Sequence, residues 1–510
     1  MSIVYLIGAG PGDPGLITVR GQQCLAAADV VIYDHLVHAR LLRQARPQAE
    51  TIDVGVAAPR PLEREAICYL LAEKAREGKT VARLKWGDPF VFDSGGTEAL
   101  FLHEQGVPFE VVPGVPAGIG GPSYAGIPIS YPGGGDTLTF VRGHEDDGKA
   151  RPAVVDWASL ARLDGTIVCY TGPERLPHIV SALVSHGRSP DDAAALVYNG
   201  TRPTQETWTG TLDELAKRAK HSADRRPAVL IIGRVVALRE HLRWFDERPL
   251  FGKRVLVTRP REQAAELVDQ LESMGAEAIE APMIRILPPE DYGPLDAACR
   301  DVSTFNQIVF SSANAVESFV ERLLAGPGDL RDLKGVKLAA VGPATAERLQ
   351  RYGLRVDITP VEQRAESLLQ AIVATGDVRG LRVLLPRADI GREIVAEELR
   401  KQGAEVTEVV AYRTAVAESD GDPDIYRMLL EHRLDVVTFT SPSAVRNFVK
   451  ALGKEPAVDL LRTTIVASIG PITAEAATQH KIQTTIMPPH HTVPALVRAI
   501  VDHFNKSSNP

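Results

Sequence analysis

Val4–Thr18 reads VYLIGAGPGDPGLIT, an apolar run that stops abruptly in glycine and proline. The run has the composition of a buried strand, and the residues after it demand a tight loop at the strand's end. A helical pattern, TVRGQQCLAAA, follows, and then a second strand-like run, DVVIYD. This alternation continues along the chain and predicts parallel α/β architecture. A glycine-rich first loop raises the question of a dinucleotide, but the G-x-G-x-x-G spacing is not met. Gly8 and Gly10 are followed by Gly12, and the sixth position is Asp13. Pro11 has no N–H and Pro14 follows closely, so the loop offers few amides to a pyrophosphate. No Gly-Lys-Ser/Thr follows, which excludes a P-loop. A nucleotide-dependent oxidoreductase therefore fails on spacing. Taken alone, the loop reads equally well as a plain strand-to-helix connection.

At 510 residues the chain is too long for one ordinary core, so two or more domains are expected. Its 44% apolar and 24% charged residues are those of a globular protein. A formal net charge of −8 argues against a nucleic-acid partner. Cys24, Cys68, Cys169 and Cys299 stand far apart without a C-x-x-C, which argues against disulfides and thiolate zinc. The histidines form no H-E-x-x-H, and no metal is expected; His490 and His491 precede a helix cap at Thr492. MSIVYLIGAG has no basic leader, and no apolar stretch is long enough to span a bilayer, so the expected location is the cytoplasm, with no membrane partner. A completed strand and helix give way to a fresh strand near Arg248–Gly252, predicting domains over residues 1–247 and 248–510. The Gly- and Pro-dense VVPGVPAGIGGPSYAGIP joins two lobes of the first near Pro113. The second half repeats itself. GKRVLVTR from Gly252 returns as GLRVLLPR from Gly380, FSSANAV from Phe310 as FTSPSAV from Phe439, and VGPATAE from Val341 as IGPITAE from Ile469. The offset is about 128 residues throughout, far beyond the roughly 20–50 of a solenoid. Two copies of an α/β unit are expected to form two lobes with a ligand cleft between them.

Several strand ends carry chemistry. DVVIYD places Asp34 just past a strand, where ligands of open α/β sheets collect; the alternative is a helix N-cap. ARLKWGDPFVFDSGG carries a second Gly-Asp-Pro turn at Gly87, Asp88 and Pro89, and FEVVPGVPAGIGG is a third strand with a glycine-rich exit. With YTG at Tyr170–Gly172 and YNGT at Tyr198–Thr201, about residues 1–245 resemble the tetrapyrrole methylase family, uroporphyrinogen-III C-methyltransferases in particular. The resemblance implies a two-lobed α/β domain, S-adenosylmethionine in the cleft between the lobes, and a homodimer formed through this domain. It implies cofactor contacts at Pro11, Gly87, Asp88, Val91, Pro116, Ala117, Thr171 and Gly200, and a catalytic general base at Asp34. The chain departs from the family's pattern at Val56 for a lysine, Trp86 for a glycine, Ser94 for an arginine, Pro116 for a threonine, Thr171 for a methionine, and Ser130–Pro132 for T-H-R. Uroporphyrinogen carries eight carboxylates, so lost cationic partners weaken its grip or change its register.

SPSAV reads as a helix start, with Ser441 as N-cap and Pro442 in the first position; Ser312 occupies the equivalent place. GPAT and GPIT put Pro343 and Pro471 at helix openings, with Thr345 and Thr473 in the first turn. Each is an ordinary cap taken singly. Together, helix N-termini from two lobes facing one cleft would attract several carboxylates at once. Arg259 and Arg387, just past repeated strands, read either as carboxylate partners or as solvated surface arginines. VTRP, FSSANAV, AVGPATA, VVAYRT and FTSPSAV in this order resemble the uroporphyrinogen-III synthase family over about residues 252–505. The resemblance implies a two-lobed synthase, closure of hydroxymethylbilane to uroporphyrinogen III without metal or cofactor, assistance from Tyr412, and substrate contacts at Ser312, Thr345, Ser441 and Thr473. For Tyr412 the alternative is a packed strand-end aromatic. The product of the second half is the substrate of the first. The joint reading is a bifunctional enzyme of tetrapyrrole synthesis, methylating towards precorrin-2 on the siroheme and cobalamin route. The alternative is an active synthase joined to a methylase-like half that is altered in substrate or non-catalytic.

Overall fold

The computed structural model describes residues 2–55, 61–143, 155–222, 226–281, 284–360, 365–389, 394–416, 424–452 and 454–508. Val56 lies outside the described residues. The chain divides into two compact units, Met1–Val255 with Asp269–Ala278 and Val501–Pro510, and Leu256–Val268 with Ile279–Ile500. Among the described residues no helix is long and apolar enough to cross a membrane.

The first unit begins with β1 (Ile3–Gly8), β2 (Val30–Tyr33), β3 (Glu50–Asp53), β4 (Thr80–Lys85) and β5 (Phe109–Val112), ordered β3-β2-β4-β1-β5. All four pairings are parallel. The helix after β1, Val19–Ala27, packs Cys24 and Leu25 against Ile7, Val31 and Ala82 on one face of the sheet. Helices Arg64–Arg76 and Gly95–Glu104 pack Leu71 and Leu102 against Leu6, Ile32 and Val81 on the other. The neighbours β1 and β4 thus send their connections to opposite faces. That divergence opens a crevice beyond the carboxyl ends of the strands.

Four glycines fill the floor of this crevice. Gly10 and Gly87 exchange backbone hydrogen bonds of 3.2 and 2.9 Å. A Cβ on Gly114 would stand 2.2 Å from the Gly87 carbonyl oxygen, and one on Gly8 would stand 2.6 Å from the Gly114 Cα. Backbone approach this close admits only glycine.

The second sheet holds β6 (Leu138–Arg142), β7 (Thr166–Thr171), β8 (Ala193–Tyr198), β9 (Glu206–Thr211) and β10 (Ala228–Ile232), ordered β6-β7-β10-β8-β9. Here the expectation of parallel architecture needs correction. Only β6 and β7 are parallel; β10 runs antiparallel to both its neighbours, and β8 to β9. The last strand enters the centre of the sheet. Its AVLII is buried along its whole length, and hydrophobic periodicity reports burial, not direction.

The rest of the chain carries β11 (Arg254–Val257) and β12 (Glu277–Glu280), both crossed by the boundary between the units, and, in the second unit, β13 (Ile284–Leu287), β14 (Gln307–Phe310), β15 (Lys337–Ala340), β16 (Arg382–Ala388), β17 (Glu405–Val416), β18 (Val436–Phe439) and β19 (Ile465–Ser468). One sheet runs β12-β11-β18-β19, the other β13-β17-β16-β14-β15. Each lobe is therefore half of one sequence repeat joined to half of the other, which corrects the expectation of one copy per lobe. The two crossover segments cause the exchange. β13 pairs antiparallel with the end of β17, from Ile284↔Val416 to Leu287↔Arg413, so each copy leaves its first lobe half built. The copies are stitched together by buried threonines. Thr258 Oγ1 donates to the Thr438 carbonyl at 2.7 Å, and Thr438 Oγ1 to the Leu256 carbonyl at 2.8 Å.

Gly114→Ala is expected to destabilise the first unit by about 2 kcal/mol or more, because the backbone it strikes has nowhere to go. Gly96→Ala, in a helix with open space around the new methyl, is expected to gain about 0.5–1 kcal/mol. Chemical denaturation midpoints of the two variants check the contrast.

Candidate functional site

In the first unit a small cavity of about 30 Å³, open to a wider cleft, is lined by Pro11, Trp86, Ala117 and Gly200, among others. Pro116 holds the position before the helix Ala117–Tyr124, and the missing side chain of Gly87 faces the Pro116 Cα at 3.7 Å. The structure thus gathers Pro11, Gly87, Pro116, Ala117 and Gly200 at one place. Trp86 forms part of the wall: its Nε1 donates to the Pro11 carbonyl at 2.9 Å and holds the opening loop. Asp88, Val91 and Thr171 stand outside the lining. Asp88 accepts from Phe90 N at 2.8 Å and Gly114 N at 3.0 Å, so its carboxylate ties two exit loops together. Val91 packs with Trp86 on the second sheet's core. Thr171 is buried and donates its hydroxyl to the Gly172 carbonyl.

The opposite wall is held by contacts that sequence reasoning missed. Asp13 N donates to Thr201 Oγ1 at 3.0 Å, Tyr124 Oη donates to Asp13 Oδ2 at 2.8 Å, and Gly118 N donates to Tyr170 Oη at 2.9 Å. Asn199 and Thr201, on either side of Gly200, have φ of 45° and 72°, and Phe92 has 54°. Non-glycine residues in this region store strain, which gathers at functional sites. Arg202 Nη2 donates to the Leu36 carbonyl, so the one cation in the lining is already engaged.

Asp34 follows β2 and caps no helix; the short helix Ala39–Leu42 is capped by His38. Its carboxylate instead accepts from Arg83 Nη2 at 2.6 Å, with the Arg83 side chain 2% and the Asp34 side chain 25% exposed. Arg83 leads into a buried charge network. Lys85 Nζ donates to Glu98 Oε1 and Ser94 Oγ, each at 2.9 Å, and stands 3.0 Å from Asp93 Oδ1. Ser94, where the family carries arginine, is thus committed to Lys85 and Glu98. Burial pushes Glu98 up, but Arg83 and Lys85 outweigh it and hold its carboxyl below the usual value. Asp93 is raised, by burial first and by Asp34 as well, against Lys85. The signal in the sequence was ARLK, two cations at i and i+2 in an otherwise apolar central strand.

In the second unit Ser312 and Ser441 cap helices Ala313–Ala325 and Pro442–Leu452, accepting from Ala315 N and Ala444 N at 3.1 Å each. Helices Pro343–Arg351 and Pro471–Gln479 also follow strand ends, with Thr345 and Thr473 buried in their first turns. The two edges meet where Gln263 Nε2 donates to Asn314 Oδ1 at 2.6 Å. Tyr412 is 8% exposed, and its hydroxyl lies 3.1 Å from Ser312 Oγ. A register shift at Arg387/Ala388 brings Tyr412 opposite Ala388, and such bulges re-aim side chains. Burial pushes the Tyr412 hydroxyl up against the opposing pull of Ser312 and Asn314. The two arginines differ. Arg387 lies inside β16, not past it, and its Nε stands 3.3 Å from Glu408 Oε2. Arg259 has no ion pair within 4 Å among the described residues, and burial lowers its guanidinium with Glu266 in partial opposition.

Arg83→Met, which strands Asp34 and Glu98, is expected to cost about 3–5 kcal/mol. Glu98 sits below its unfolded value, so its stabilisation is complete above about pH 4.3 and is lost as pH falls through the lower folded value. Glu98→Gln is expected to flatten the acid limb of stability against pH, read by denaturation between pH 3 and 7.

Residues 3–216 match the family described as Tetrapyrrole (Corrin/Porphyrin) Methylases, and residues 265–498 match Uroporphyrinogen-III synthase HemD. The chain is 35% identical over 484 residues to a porphyrin biosynthesis protein HemD of Ruminiclostridium josui, covering 95% of this chain and 94% of that one. It is 36% identical over 368 residues to a uroporphyrinogen-III C-methyltransferase of Bacillus subtilis, covering 72% and 74%. Among solved structures, a uroporphyrin-III C-methyl transferase of Thermus thermophilus complexed with S-adenyl homocysteine is 37% identical, covers 46% of this chain and 99% of that one, and has a TM-score of 0.40.

Proposed function

The chain belongs to the family of porphyrin biosynthesis proteins in which a tetrapyrrole methylase is joined to a uroporphyrinogen-III synthase, and we propose that it performs both reactions. The second half closes hydroxymethylbilane to uroporphyrinogen III, and the first half methylates that product with S-adenosylmethionine. The observation that carries the reading is a crevice at the switch point of the first sheet, with an ion-paired carboxylate, Asp34, just past a neighbouring strand end.

The residues present fit such a cofactor. Gly200 makes the wall main chain: a Cβ there would lie 2.8 Å from the Gly121 Cα. Pro11, Ala117 and Gly200 supply a small, uncharged surface that a nucleoside can approach. When bound, S-adenosylmethionine supplies an electrophilic methyl group on a sulfonium. Pro11, Gly87, Pro116, Ala117 and Gly200 position it, with Asp88, Val91 and Thr171 acting from behind through the exit loops and β7. Asp34 accepts the proton that the methylated ring gives up, and Arg83 keeps that carboxylate oriented. In the second unit the Tyr412 hydroxyl, held by Ser312, assists departure of the bilane's hydroxyl. Ser312, Thr345, Ser441 and Thr473, together with the helix N-termini they occupy, take the substrate's carboxylates; Arg259 is a cation just past β11, whereas Arg387, inside β16, faces Glu408. Fusion keeps the intermediate at high local concentration.

The division between the two enzymes falls at 247/248 in this reading. We further propose a homodimer through the first half, as the family resemblance implies, and a cytoplasmic location, supported by four buried cysteines that are all free thiols.

Incubating the full chain with hydroxymethylbilane is expected to yield uroporphyrinogen III, and adding S-adenosylmethionine to yield methylated product. Asp34→Asn is expected to slow methylation about 10²–10⁴-fold and leave synthase activity intact; Tyr412→Phe is expected to slow closure alone, about 10²-fold. Uroporphyrinogen III without methylation, whatever cofactor is added, would instead establish a synthase joined to a non-catalytic methylase-like half.

A further inference from the structure

The exchanged repeat has a consequence for substrate orientation. Both lobes present equivalent donors, namely the helix starts at Ser312 and Pro343 on one side and at Ser441 and Pro471 on the other. A linear bilane with acidic side chains along its length would find like partners whichever way round it lay. Productive closure needs one direction only, because the leaving hydroxyl is at one end.

Two features break the equivalence. Tyr412 has no counterpart, since Ile284 stands 128 residues earlier. The repeated arginines, Arg259 and Arg387, also differ in company. Arg387 faces Glu408 at 3.3 Å, and Glu408 Oε1 is held in turn by Arg400 at 2.8 Å. The counterpart of Glu408 is Glu280, which engages elsewhere, and Arg259 keeps no carboxylate within ion-pair distance among the described residues. A part-buried guanidinium without an anion is costly to hold unless a ligand supplies one. The lobe built on β11 thus offers an open cation, and the lobe built on β16 offers one already facing a carboxylate that it shares with Arg400, plus the tyrosine.

Resting on the synthase reading, we propose that Arg259 anchors a carboxylate of the linear tetrapyrrole and thereby fixes which way round it lies, with its hydroxymethyl end at Tyr412. Glu408 is the complementary element. By occupying Arg387 it denies a carboxylate the equivalent anchor on the wrong lobe.

Bilane turnover by the full chain tests this. Arg259→Met is expected to raise KM at least about tenfold with kcat within about threefold, as loss of one charge-assisted bond predicts. Arg259→Lys is expected to recover most of the loss, and Arg387→Met to change KM less than about threefold. Glu408→Gln, which removes the carboxylate facing Arg387, is expected to lower kcat and KM by the same factor with kcat/KM unchanged, the signature of non-productive binding. Equal effects of Arg259→Met and Arg387→Met, or an Arg259→Met variant indistinguishable from the parent, would overturn the inference. Absence of turnover in the parent chain would overturn the synthase reading itself.

Discussion

Backbone meets backbone where Gly8, Gly87 and Gly114 leave their strands, and the first unit depends on that contact. Three parallel strands can end in one crevice only if their exit loops approach more closely than any side chain permits. The price of such approach is conformational freedom in the unfolded chain, and it is offset by what the loops gain from each other. Asp88 bridges two of them through backbone amides, Trp86 holds the first by its indole, and Asp13 ties the first to the YNGT turn. The result is a pocket whose floor and walls are largely main chain, suited to a ligand recognised by shape and a few hydrogen bonds.

Charge is handled apart from that pocket. Arg83 and Lys85 are buried at the end of a central strand, and neither would be tolerated without Glu98, Asp34 and Asp93. Glu98 spends Oε1 on all of its partners while Oε2 is buried with none, a sign that the cluster is shaped by position rather than by satisfaction of every group. Its exposed outlet is Asp34. A buried guanidinium orients that carboxylate from below, so its geometry is not left to solvent.

Much of this was legible in the chain. The opening strand, the glycine exits, the helix starts at Ser312, Pro343, Ser441 and Pro471, and the repeat itself follow from local patterns. The direction of β10 was not, because five consecutive buried residues look alike in either orientation. Nor was the exchange of repeat halves between lobes, since pairing within a copy and pairing between copies bury the same side chains. The site divided in the same way. Pro11, Gly87, Pro116, Ala117 and Gly200 converge because glycine and proline constrain the backbone locally. The partners of Asp34 and Arg387 come from other elements, and long-range ion pairing has no signature in spacing. ARLK was the clue to Arg83, two charges in a strand whose neighbours are apolar.

Binding to the first unit is the most direct check on the central claim that its crevice holds a sulfonium nucleoside. Calorimetric titration of the full chain with S-adenosylhomocysteine is predicted to show micromolar binding at one site per chain, abolished by Gly200→Leu, which fills the cleft. A chain that takes up no S-adenosylhomocysteine, or a Gly200→Leu variant that binds it as well as the parent does, would contradict the account.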